Sequence, residues 1–163
     1  MSKVLVIKNA DFSENALDVV QFGTITTIQP SFTSGGVMLD GSSLALIPKI
    51  SIANGGVVKS VLLGQYNAGM KGTIVVLNAA LTEIVSESGE IEFSGEKTDV
   101  GSLNIAVPQG GYVGLRTIGA TNNWHLNTDI SPYRIIQVLS SGITPDAGTY
   151  GMDYGFEIFV PEN

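Results

Sequence analysis

The sequence predicts an all-β protein, an antiparallel β-sandwich of about ten short strands. Three observations point there. β-branched residues dominate the apolar segments. Turn residues punctuate the chain at the roughly 8–12-residue spacing of sandwiches and barrels. No segment of useful length carries the apolar stripe of a helix. The chain has 163 residues, within the roughly 100–200 of one domain, so residues 1–163 are read as a single sandwich.

The elements follow in order. Lys3 to Ile7 is a short apolar strand. Asp11 to Val20 is ambiguous, with one helical turn that Asp11 or Ser13 would cap. Gly23 to Gln29 alternates as a strand, and Pro30 ends it. Asp40-Gly41 sits between Val37-Met38-Leu39 and Leu44-Ala45-Leu46, which predicts a hairpin. Asn54-Gly55 between Lys49 to Ala53 and Val57 to Gly64 predicts a second one. Gly72 to Leu77 is a buried strand, because Ile74-Val75-Val76-Leu77 does not alternate. Leu81 to Ser86, Gly89 to Phe93 and Leu103 to Val107 follow, each bounded by Gly, Asp or Pro. Pro108-Gln109-Gly110-Gly111 turns into Tyr112 to Arg116, with Tyr112 expected at the sandwich edge. Ile135 to Leu139 and Gly155 to Val160 close the chain.

Composition excludes several function classes. There is no cysteine and one histidine, which removes a disulfide scaffold, a thiol nucleophile and Cys- or His-rich metal sites. Eight Lys and Arg face fifteen Asp and Glu, for a net charge of -7. That field repels a phosphate backbone, so no nucleic-acid partner is expected. No apolar run approaches the length of a membrane span. The start, Met1-Ser2-Lys3 before Val4 to Ile7 and Lys8, lacks a secretory signal pattern, so synthesis in the cytoplasm is expected. Assembly into a virion is compatible with that, since virion proteins leave by lysis.

No catalytic constellation stands out, and no metal or cofactor is expected. Any His-based hydrolase must use His125. Asp40-Gly41-Ser42-Ser43-Leu44 looks superficially like the Gly-Asp-Ser-Leu block of SGNH-type esterases, but the order differs. Asn122-Asn123-Trp124-His125 has the spacing of their Asp-x-x-His block, with Asn122 where the acid belongs. The paired glycines lack the Lys-Ser/Thr of a phosphate loop. Glu83, Glu87, Glu90, Glu92, Glu96 and Asp99 form an acidic stretch, read as solvated strands or, if loops gather three carboxylates, a cation site.

Two segments carry recognition chemistry. Arg116 to Asp129 holds the only Trp, the only His and three Asn. Trp124 would be a plate for a sugar ring, with Arg116, Asn122, Asn123, His125 and Asp129 as the hydrogen-bonding rim. The alternative is Trp124 and Leu126 in the core with His125 outward. Tyr150 and Tyr154, in Thr149-Tyr150-Gly151-Met152-Asp153-Tyr154-Gly155, are candidate contact residues. Tyr and Met there suit an oligomer interface equally well. Mean hydropathy is +0.28 and only 14% of residues are charged, so some apolar surface is expected to be covered by copies of the chain or by a larger assembly.

Pro48 to Ile52, Gly72 to Leu77 and Leu103 to Leu115, with the opening Lys3 to Ser13, resemble jelly-roll β-sandwich modules. Such modules occur in phage structural and tail-associated proteins, and beside SGNH-type hydrolases. The resemblance covers about half of the chain and rests on turn chemistry and apolar strands. It implies a non-catalytic module with a structural or glycan-binding role, and it carries over no ligand residues. The expectation is therefore a self-associating tail, fibre or capsid-decorating component that contacts host glycans. A carbohydrate-binding module built on Trp124 is the alternative, and a hydrolase through His125 the remote one.

Overall fold

The computed structural model describes residues 3–7, 20–30, 37–38, 45–118, 125–127 and 133–162. Among these are sixteen strands, one 3-10 turn at Gly101–Leu103, and no α-helix. The strands are β1 Lys3–Ile7, β2 Val20–Ile28, β3 Val37–Met38, β4 Ala45–Pro48, β5 Gly56–Leu63 and β6 Lys71–Leu77. Then come β7 Ile84–Glu87, β8 Ile91–Glu92, β9 Lys97–Asp99, β10 Ala106–Val107 and β11 Tyr112–Ile118. The last five are β12 His125–Asn127, β13 Tyr133–Leu139, β14 Gly142–Thr144, β15 Thr149–Met152 and β16 Tyr154–Pro161.

They form two antiparallel sheets. Sheet I runs β1-β2-β16-β5-β10, with β9 also on β5. Sheet II runs β3-β12-β15-β13-β4-β11-β6-β7, with β14 on β13 and β8 on β6. The main core lies between them. Val58, Val61, Tyr154, Phe156 and Ile158 of sheet I meet Leu46, Ile74, Val76, Leu115 and Ile135 of sheet II. Each such aliphatic or aromatic side chain contributes roughly 1.5–3 kcal/mol when fully buried.

Sheet II has a second apolar cluster on its other face. Ala45, Ile47, Val75, Leu77, Ile136 and Val138 are all buried there. Register explains the grouping: Ile136 pairs with Ile47 and Val138 with Ala45. Strands β4 and β6 are thus buried on both faces, and for this reason their sequences run apolar without alternating. Leu81, Tyr112 and Ile143 pack against the cluster. Leu81 holds an unusual positive φ of 58°. Asn78 braces this turn, its carbonyl accepting from the Leu81 amide and its side-chain oxygen from the Thr82 amide. Tyr112, expected at a sandwich edge, begins β11, which runs between β4 and β6 in sheet II, and packs against this outer cluster.

Among the described residues neither expected hairpin is paired as such. β3 pairs with β12, whereas β4 pairs with β11 and β13, so no ladder joins the described parts of the segments flanking Asp40-Gly41. That turn itself lies outside the described residues. Asn54-Gly55 instead makes a corner that carries the chain from β4 in sheet II to β5 in sheet I. Gly55 takes a φ of +69°, and a Cβ there would sit 2.8 Å from the Val107 carbonyl. The corner therefore needs the same glycine that a hairpin would, which is why local sequence does not separate the two. Gly23 serves close approach instead: the Phe159 ring lies over it, 2.6 Å from where a Cβ would stand.

The strands exceed the expected ten because the second half of the chain is cut into short pieces. Lys49 to Ala53 is a link with one isolated bridge, Ile52 to Gly111. The segment from Leu103 begins in the 3-10 turn, with Asn104 at a left-handed φ of 51°. Asp11 to Val19 lies outside the described residues.

Candidate functional site

Much of the predicted recognition segment lies outside the described residues: Asn122, Asn123, Trp124 and Asp129 are all there. His125 opens β12, paired with Met38, and Tyr150 lies in β15, paired with Tyr133. The side chains of both fall outside what the structure describes.

Arg116 is the predicted site residue with the fullest environment. It stands on β11 opposite Thr73 of β6, beyond which runs β7. Its Nε donates to Glu87 Oε1 at 2.7 Å, and a terminal nitrogen reaches Oε2 at 3.3 Å. The Thr73 hydroxyl donates to Glu87 Oε1 at 2.6 Å. Burial pushes the Glu87 carboxyl up. The hydrogen bonds from Arg116 and Thr73 and the guanidinium charge together outweigh it and hold the carboxyl below its usual value. The Arg116 side chain is 16% exposed. Its guanidinium fork already faces a carboxylate in the geometry a planar ligand group would need.

Tyr154 is a correction. It was expected in an accessible contact loop, yet it is 1% exposed. Alternation along β16 turns Tyr154, Phe156 and Ile158 inward together. The Tyr154 hydroxyl donates to the Leu46 carbonyl, and the Leu115 amide donates to the hydroxyl at 3.4 Å. One phenol thus joins sheet I to two strands of sheet II. Burial pushes its pKa far up. A side chain so enclosed presents nothing to a glycan.

The acidic stretch is divided among separate partners. Lys71 pairs with Glu90 at 2.9 Å and with Glu92 at 3.8 Å. Glu87 belongs to Arg116, and Asp99 accepts from the Gly101 amide at 2.8 Å. Among the described residues no group of three His, Cys, Asp or Glu is placed to hold a metal ion.

Sequence reasoning missed a pocket beside the β4–β5 link. It has a volume of about 240 Å³ and is lined by Thr26, Ile50, Ser51, Ile52, Ala53, Asn54 and Val160. Thr26 and Val160 come from the adjacent strands β2 and β16. Ile50 and Val160 pack against the main core, so the pocket has an apolar floor. Its rim is pinned. The Ile52 amide donates to the Gly111 carbonyl, and the Gly55 and Gly110 amides donate to the Ile52 carbonyl, each at 2.9 Å. Ser51 Oγ donates to the Gly110 carbonyl at 3.0 Å. Its sequence signal is Asn54, a residue whose place before Gly55 reads equally as a turn former.

Compared with protein-family models, with curated proteins and with solved structures, the chain matches none.

Proposed function

We propose that the protein is a non-catalytic structural module that associates with copies of itself, a jelly-roll sandwich serving as a tail, fibre or capsid-decorating component of a phage particle. The observation that carries the self-association is its exposed apolar surface. Phe22 of β2 is 55% exposed and Leu103 of the 3-10 turn 50%. Ile84 and Val85 of β7 and Leu139 of β13 are also exposed. Surface charge does little to mask them. Several of the few cations already face carboxylates, as in Lys97 with Glu157 and Arg134 with Asp146. Apolar side chains in such surroundings favour association with a like surface.

The edge strand β7 is not the favoured contact. Its pairing with β6 is irregular next to Leu77, and Glu83, Glu87, Glu90 and Glu92 line the segments on this side of β6. A bulge and charge are two devices that blunt a sheet edge. Phe22, away from this acidic edge, is the better anchor.

Sedimentation or light scattering at high concentration tests the proposal. The wild type is expected above monomer mass. Covering the exposed half of one Phe ring is worth about 1 kcal/mol. In a two-fold interface the residue counts twice, so Phe22→Ser should weaken the dimer by roughly thirty-fold. A wild type that stays monomeric at high concentration would remove the proposal.

A further inference from the structure

We propose that the pocket beside the β4–β5 link binds a single uncharged pyranose ring, such as the terminal sugar of a neutral glycan. Its volume of about 240 Å³ lies below the roughly 300–1,000 Å³ of sites that take drug-sized ligands, so it accommodates one ring, not a chain. Its chemistry is two-sided, as a pyranose is. Ile50, Ile52 and Val160 supply an apolar surface for the C–H face. Thr26, Ser51 and Asn54 supply hydroxyl and amide groups for the hydroxyl rim.

Those groups are ready to be used. Thr26 and Asn54 are exposed, and among the described residues neither side chain has a hydrogen-bond partner. The Ser51 hydroxyl gives its proton to Gly110, which leaves its lone pairs to accept from a ligand. The pinned rim means that little ordering is needed on binding.

Other ligand chemistries fit less well. Among the described residues the lining holds no charged side chain, and the chain carries a net charge of -7, so an anionic sugar or phosphate gains no counter-charge there and meets a repelling field. A purely apolar group would strip water from Thr26 and Asn54 and return no hydrogen bond. Phe22 is not among the residues that line the pocket, so loss of self-association in Phe22→Ser and loss of sugar binding are read by different experiments.

The test is an amide-resolved NMR titration of the full chain with methyl glycosides of glucose, galactose, mannose and N-acetylglucosamine, each to about 50 mM, the range where one shallow site binds. The expected result is saturable shifts, for at least one sugar, centred on Thr26, Ile50 to Asn54 and Val160. Thr26→Val and Asn54→Ala, both at exposed positions, should each weaken that sugar by about three- to ten-fold while the remaining spectrum is unchanged. Cyclohexanol, a ring of similar size without the hydroxyl rim, should bind more weakly. Three results would overturn the proposal: no saturable shift with any of the four sugars, cyclohexanol binding as well as the best sugar, or both variants binding as the wild type does.

Discussion

Thr73, Glu87 and Arg116 on sheet II, and Thr26, Ser51 and Asn54 beside the β4–β5 link, are both trios of polar side chains gathered by the fold. They use their hydrogen bonds in opposite ways. In the first trio guanidinium and hydroxyl point at one carboxylate, at 2.7 and 2.6 Å. The charges satisfy each other, so the trio ties β6, β7 and β11 together. In the second trio, among the described residues, only Ser51 makes an internal side-chain bond, to a neighbouring turn. The lesson is that charge and sequence rarity pointed to Arg116 as a binding residue, whereas a binding group needs unfulfilled capacity. Neutral, commonplace Thr26 and Asn54 have it.

The largest expected effect breaks the first trio. Arg116→Leu leaves Glu87, whose side chain is 32% exposed, without its cation. A fully exposed pair would be worth about 0.2–1 kcal/mol, and a hydrogen bond to a charged group about 1.5–3. This pair lies between those limits. A loss of about 1–2 kcal/mol is expected, read as a lower denaturant midpoint at unchanged slope. No change at neutral pH would mean that the trio is only a surface contact.

A smaller effect comes from pH. The Glu87 carboxyl is held below its ordinary value of 4.5 in the folded state. Its contribution is therefore fully present above about pH 4.5 and is lost as pH falls through the depressed folded value. Thermal melts across the acid range should show wild type and Glu87→Gln converging as pH drops, with Glu87→Gln the less stable at neutrality. Curves that stay parallel throughout would contradict the assigned environment. Lys71, raised above 10.5 by Glu90 and Glu92, acts at the other end, with its contribution present below that pH and lost above it.

The smallest effect is expected in the second trio. Thr26→Val combined with Asn54→Ala should change stability by no more than about 0.5 kcal/mol, because neither side chain has a hydrogen-bond partner among the described residues. Calorimetry checks this. A loss above about 1 kcal/mol would show that these groups hold the corner together instead of facing a ligand.

Sequence reasoning located several strands well. β1, β6, β11 and β13 lie where apolar β-branched runs and flanking turn residues put them. It did worse on partners. Asn54-Gly55 marked a reversal correctly, but whether the next strand returns to the same sheet is decided by which edge is open to it. Tyr154 shows the same limit. Tyr, Gly and Asp in series fit a contact loop, and only the alternation set by β16 pairing with β2 and β5 turns the phenol inward.

By itself, then, the chain determined its class and its reactive repertoire: strands instead of helices, no thiol chemistry, one imidazole and an acidic field. These follow from residue type and spacing, which act locally. Tertiary structure decided that β4 and β6 of sheet II are buried on both faces and that Arg116 answers Glu87. It also decided that a pocket opens between residues 26, 50–54 and 160. Those outcomes depend on contacts across dozens of positions, where register and sheet order choose the neighbours, and neither is written in any short stretch of sequence.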